Sequence, residues 1–310
     1  MAIVVVGAVF VDIKGFPDDV YNPVGRNAGR VETVHGGVGR NVAEDIANVE
    51  LRPKFVSMVD DTASGAEVLH KLQNHKVNTD YVLTRPDGMG LWLAVFDNTG
   101  DLAGSISKRP NMDALIGLLD EKGDEIFRDA DSIVVEVDMD KEIIKRILHY
   151  AEKYHVKVYG VVSNMAIASQ RRDFLQSIDC FVCNVCEAGI LFVDDFTQLS
   201  PEALTDELAQ RIAKAQIPAM VVTMGSRGAV YASQNGERGY YPPETVAVRD
   251  TSGEGDAFCA GVAIGLTYGK TLREAVKIGT HLAASVIMIS ESTCPRFLPS
   301  EFGLDVKIAE

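Results

Sequence analysis

Residues 250–258 read DTSGEGDAF, and the run AFCAGVAIGL follows at once. Two glycines and two acids thus stand directly before an apolar stretch with helical character. A helix N-terminus carries unpaired backbone N–H groups and the positive end of the helix dipole. Glycines let those groups approach a phosphate closely. Gly253 and Gly255 would form such a cradle. A carboxylate does not itself bind phosphate. Asp256 makes sense there if it acts beside the phosphate, on a hydroxyl that must lose its proton. Taken alone, the pattern reads rather as an ordinary glycine turn with an aspartate capping a helix.

The surroundings favour the first reading. HGGVGRNVAEDIAN (35–48) is a second glycine turn feeding a helix, with Val42, Ile46 and Val49 on one face. VTMGSRGAV (222–230) reads as strand, glycine turn and strand, and CNVCEAGIL (183–191) puts Asn184 and Glu187 just past a strand end. Strand-like runs at 3–11, 54–59, 131–138, 157–163, 178–184 and 219–225 alternate with helical stretches at 63–75, 140–155 and 203–216. That alternation predicts a mostly parallel sheet covered on both faces. Ligands of such sheets sit beyond the carboxyl ends of the strands, where these motifs fall. Two stretches break the rhythm. Residues 13–35 are polar and rich in Gly and Pro, and 88–108 reads as a hairpin around DNTGD. Both are expected in a small β-sheet projecting over the site.

The chain has 310 residues, 46% hydrophobic and 24% charged, with a net charge of -14. A sizeable core is expected. The acidic balance argues against a nucleic-acid or anionic-membrane binder. The N-terminal apolar stretch lacks a basic lead, and no uncharged run reaches the length of a membrane helix. Five cysteines, an odd and sparse set, suggest a reducing compartment, so the cytoplasm is the expected location. Cys180, Cys183 and Cys186 share a spacing seen at iron–sulfur sites, but no nearby fourth ligand follows; buried thiols are the expectation.

On these motifs the chain resembles the PfkB, or ribokinase-like, carbohydrate kinases over nearly its whole length. GGVGRN and DTSGEGDAF match the family's two glycine signatures, NVCE its NxxE element and VTMGSRG its TxGxxG element, in the family's order. The resemblance implies one kinase domain over 1–310, with a Rossmann-like α/β fold and a lid from about 13–35 and 88–108. It implies ATP with Mg²⁺ as the phosphoryl source. Asp256 would be the catalytic base, and Gly253, Glu254, Gly255 and Asp256 the anion hole. Asp12, Gly36, Gly37 and Asn41 would hold the acceptor. Asn184, Thr223, Gly225 and Gly228 would bind ATP. Glu187 would reach Mg²⁺ through water, and a monovalent cation such as K⁺ would sit beside Asp250 and Thr251. Softer features resemble the pseudouridine kinase subgroup: GGVGRN in place of GGKGAN, Asn22-Pro23, and the tail SESTCPRFLPSEF (290–302). The sequence departs from the family at Glu254, which replaces alanine, at VSNM (162–165), and at YNPVG, which lacks a serine.

The expected activity is therefore ATP-dependent phosphorylation of a hydroxyl on a sugar or ribonucleoside, with pseudouridine favoured. A free-sugar kinase of the ribokinase or fructokinase type is the alternative. The intact GxGD argues against a non-catalytic binding relative, and the absence of GxGxxG after the first strand argues against a dinucleotide oxidoreductase. Leu91, Leu93 and Val95 form an apolar lid face that predicts a homodimer. Trp92 is read as packing, Arg40 as a surface helix residue, His35 and His281 as packing or solvent groups, and Glu136 as touching acceptor or solvent.

Overall fold

The structure is a computed structural model and describes residues 2–305. Its strands are β1 (Ile3–Val6), β2 (Phe10–Pro17), β3 (Gly29–Gly36), β4 (Lys54–Val59), β5 (Asn78–Thr84), β6 (Gly90–Phe96), β7 (Leu102–Lys108), β8 (Ser132–Glu136), β9 (Lys157–Val161), β10 (Cys180–Asn184), β11 (Ala219–Thr223), β12 (Ala229–Ser233) and β13 (Arg238–Tyr241). The α-helices are α1 (Val38–Asn48), α2 (Ala63–Asn74), α3 (Ala114–Phe127), α4 (Lys141–Tyr154), α5 (Met165–Ala168), α6 (Arg172–Gln176), α7 (Val185–Phe192), α8 (Pro201–Ala215), α9 (Glu254–Thr267) and α10 (Leu272–Ile287).

Nine strands form one sheet in the order β13-β12-β11-β10-β9-β8-β1-β4-β5. It is parallel from β5 through β11, and β12 and β13 add an antiparallel edge. β1 shows why its sequence is continuously apolar. Val4 and Val6 enter one core, with Leu115 of α3, Ile143 of α4 and Leu204 of α8. Ile3 and Val5 enter the other, with Ile46 of α1, Val262 of α9 and Val276 of α10. A strand covered on both faces has no polar side to alternate with.

The remaining four strands form a separate sheet in the order β3-β2-β6-β7. The run at 3–11, expected as one strand, is thus split: β1 ends at Val6 and β2 starts at Phe10 in the other sheet. The small sheet begins three residues before the expected lid boundary and takes Asp12 with it. Helices α3 and α10, and strand β5, complete the layers without having been picked out by periodicity.

Register fixes which side chains share a face of the small sheet. Asp12 is beside Val34 and Trp92, and Lys14 is beside Glu32 and Ala94. Val11 and Ile13 lie beside Leu91 and Leu93, and Leu93 lies opposite Ile106. Because side chains alternate along a strand, one face carries Asp12, Lys14, Phe16, Trp92 and Phe96. The other carries Val11, Ile13, Val31, Leu91, Leu93 and Ile106. Lys14 Nζ donates to Ser252 Oγ at 2.7 Å. The first face is therefore the one turned to the glycine turn before α9.

Candidate active site

Two glycine turns meet beside the small sheet. Gly37 has φ 98° and opens α1, whose first turn presents Asn41. Gly253 has φ 81° and opens α9; a Cβ there would collide with the Ser292 carbonyl oxygen. Both positions need the left-handed conformation that glycine adopts without strain. No side chain caps α9. Among the described residues, the N–H groups of Gly253, Gly255 and Asp256 have no protein acceptor. Of the four residues of the expected anion hole, Glu254 differs: its N–H donates to the Thr251 carbonyl at 3.5 Å.

Asp256 lies in the first turn of α9, half-buried. Asn41 Nδ2 donates to its Oδ2 at 2.6 Å. Burial pushes the Asp256 carboxyl up to about 7. The Asn41 hydrogen bond and the Arg40 charge pull against that rise, while Asp12 and Glu187 add to it. A carboxylate poised near neutral pH suits a general base. Asn41, expected on the acceptor, gives one amide N–H to Asp256, and among the described residues its buried Oδ1 has no protein partner. Asp12 projects from β2, its carboxylate packed against Gly36. Burial raises its pKa, opposed by Lys14 and Arg40. Gly36 and Gly37 supply backbone at this point rather than side-chain contacts.

Arg40 is not a surface residue. It is 1% exposed. Its guanidinium donates to Glu44 at 2.7 Å, to Ser292 Oγ at 3.1 Å and to the His35 carbonyl. Glu44 also pairs with Lys71 at 3.0 Å, and burial notwithstanding, these cations hold its pKa down at about 2. Helical spacing put Arg40 on the polar side of α1. The tail around Ser292 and Thr293 covers that side.

Glu136 touches neither solvent nor cleft. It is 2% exposed and accepts from Ala8 N at 3.0 Å and from Gly39 N. It thereby ties the end of β1 to the first turn of α1. Burial, with Asp138 nearby, pushes its pKa up to about 8. Asp138 accepts from Ser163 N at 2.9 Å, Ser163 Oγ at 2.8 Å and Arg109 at 3.2 Å. The VSNM departure therefore supplies an anchor for a buried carboxylate.

A cleft of about 440 Å³ runs along the α9 N-terminus. Thr223, Gly225, Gly228, Thr251, Glu254 and Gly255 line it, with Val246, Phe258 and Ile287 as apolar wall. Three of the four expected ATP residues are there. Asn184 is not. It caps α7, its side chain accepting from Glu187 N at 2.9 Å while Glu187 Oε2 accepts from Asn184 N at 2.8 Å. It sits at the end of β10 beside Thr223 of β11. Glu187 is raised by burial and by Asp138, and its second oxygen is a hard donor of the kind a divalent cation takes. Glu254 lines the cleft, its carboxyl raised by burial. Asp250 Oδ1 accepts from Ser252 N at 2.8 Å in the turn itself. Cys180 and Cys183 are buried, and Cys186 is exposed. Burial pushes the Cys180 thiol up to about 12.

The family model for pfkB family carbohydrate kinases matches residues 2–295. A guanosine-inosine kinase from Exiguobacterium acetylicum is 34% identical over 294 residues, covering 94% of this chain and 95% of that protein. The chain belongs to the pfkB family of carbohydrate kinases. As a pfkB kinase it is a phosphotransferase with an alcohol group as acceptor. A pseudouridine kinase from Escherichia coli is 26% identical, covering 94% of this chain and 92% of that protein. Among solved structures, an Arabidopsis thaliana ribokinase complexed with ribose and ATP superposes with a TM-score of 0.81 at 21% identity, covering 99% of this chain and all of that one. That likeness shows the ribokinase-like fold. Among the described residues no helix is long and apolar enough to cross a membrane.

Proposed function

We propose that the protein is an ATP-dependent ribonucleoside kinase. The observation that carries this is Asp256, its carboxyl pushed up to about 7 by burial, set among the free N–H groups of Gly253, Gly255 and Asp256 at the end of the Thr223–Gly228 cleft. ATP would lie in that cleft with its γ-phosphoryl at the α9 N-terminus. Asp256 takes the proton of the acceptor hydroxyl, whose oxygen attacks the γ-phosphorus as the bond to ADP breaks. The 253–256 amides hold the charge that spreads over the phosphoryl oxygens. Glu187 and Glu254 would hold Mg²⁺, which would neutralise phosphate charge, and Asp250 would hold a monovalent cation. The small sheet acts as a lid that excludes water as a competing acceptor.

The acceptor reading rests on the lid's inner face. Phe16 and Phe96 stack at 4.9 Å, and Trp92 meets Phe96 edge-on at 6.5 Å. This aromatic group shares a face with Asp12, which would hold sugar hydroxyls. A base beyond the ribose would find a surface there; a free sugar would not need one. The guanosine-inosine kinase likeness favours inosine and guanosine. Pseudouridine, the acceptor expected from the sequence, remains the second reading through the 26% relative. A steady-state panel of inosine, guanosine, pseudouridine, ribose and fructose with ATP tests this. At least one nucleoside is expected to exceed both free sugars in kcat/KM, and the reverse order ends the nucleoside reading.

The lid's outer face carries Val31 at 71% exposure and Ile106 at 70%, with Leu91 and Leu93 also exposed. A second copy's lid would cover it, which makes a homodimer part of the proposal.

A further inference from the structure

Lys14 is 5% exposed, yet among the described residues no carboxylate lies within ion-pair distance of it. Lysine is almost never buried without a partner. Its single side-chain partner is Ser252 Oγ, which occupies one of the three ammonium N–H groups. Two donors and a full positive charge remain. The neighbouring turn shows the same deficit, since the N–H groups of Gly253, Gly255 and Asp256 also lack acceptors. Two sets of unpaired donors, one from the small sheet and one from the large domain, thus converge on the turn at Ser252–Gly253.

The other cations near this point are committed. Arg40 donates to Glu44, Ser292 and the His35 carbonyl. Arg109 donates to Asp138. Lys14 alone combines burial, an unmatched charge and a position over the α9 turn.

We infer that Lys14 is a catalytic residue that contacts the phosphoryl group in transfer, its ammonium completing from the lid side the anion site that the 253–256 amides form from below. The inference rests on the kinase reading. It adds no proton transfer: the acceptor proton goes to Asp256, and the leaving group is ADP. A lid strand that carries part of the anion site would link chemistry to closure, because the charge arrives only when the strand does.

Two variants separate contact with the phosphoryl from a simple latch. Lys14→Gln keeps a donor for Ser252 but loses the charge. Ser252→Ala keeps the charge but loses the latch. The readouts are calorimetric affinities for Mg²⁺ complexes of ADP and the non-hydrolysable ATP analogue AMP-PNP, with kcat on the best acceptor. Lys14→Gln is expected to weaken AMP-PNP about tenfold while leaving ADP within about twofold, since one charge-assisted contact to phosphate is lost. It should lower kcat by roughly 10²–10³-fold, as loss of one anion-hole donor does. Ser252→Ala should show neither the AMP-PNP-specific loss nor a kcat loss of that size. Equal losses in the two variants, or parallel weakening of ADP and AMP-PNP, would overturn the contact and leave a latch. A wild-type protein that binds neither nucleotide would overturn the kinase reading itself, and the role of Lys14 with it.

Discussion

The two sheets of this molecule use the same alternation for different ends. In the large sheet, β1 sends Val4 and Val6 to one core and Ile3 and Val5 to the other. Both faces are dry, and α1 and α9, the helices that open on Gly37 and Gly253, pack in the second of those cores. In the small sheet, one face of β2 offers Asp12, Lys14 and Phe16 to the site, while the next residues along, Val11 and Ile13, sit on an open apolar face. The large sheet fixes where bonds break. On the proposed reading the small one would distinguish one acceptor from another, and its open apolar face would be covered by a second copy.

The largest effect should come from the large domain. Asp256→Asn keeps the shape and the contact to Asn41 but removes the proton acceptor. Turnover should fall by roughly 10²–10⁴-fold, with little change in nucleotide affinity measured by calorimetry. Near-normal turnover would remove Asp256 from the chemistry. The same group sets a pH dependence. With its carboxyl at about 7, the base is protonated in acid, so kcat/KM should fall about tenfold per unit as pH drops below that value. A profile flat down to pH 5 would contradict the assignment.

Glu136 gives an effect on stability rather than rate. Its carboxyl titrates at about 8 in the folded chain against an ordinary 4.5. Between those values the folded state keeps a proton that the unfolded state has released. Stability therefore falls as pH rises through that window, by at most about 1.4 kcal/mol per unit. Glu136→Gln preserves an oxygen for Ala8 and Gly39 and removes the titration. Its denaturation curves should change less between pH 6 and 8 than those of the wild type; an identical slope would contradict a neutral Glu136. The smallest change is in mass. Light scattering at micromolar concentration should give a dimer for the wild type and a monomer for Ile106→Glu, and a monomeric wild type would rule out pairing through the lid.

Much of this was legible in the sequence because the large sheet writes itself plainly. Runs such as IVVV and AMVVT cannot be solvent-facing strands, and the two glycine signatures with the NxxE and TxGxxG elements in one order narrow a reading that a single glycine turn leaves open. The polar residues were harder. Arg40 sits at a helical position that periodicity assigns to water, and only a distant tail segment, Ser292–Cys294, closes over it. Lys14 falls in a short alternating stretch where a lysine normally signals exposure. Its burial depends on a loop 238 residues away. Glu136 ends an apolar run and could have faced either way; two backbone N–H groups in other elements decided it. What local pattern does not carry is which polar side a remote segment will cover.

The division of labour between the two sheets is tested most directly by one ratio. It is kcat/KM for inosine over kcat/KM for ribose, measured for the wild type and for Trp92→Ala. Stacking of a base on an aromatic side chain contributes roughly 1–3 kcal/mol, or about 5–150-fold. The ratio should fall by a factor in that range, through loss of the inosine term, while the ribose term stays within about threefold. Equal falls for both acceptors, or an unchanged ratio, would contradict a lid that selects the nucleoside.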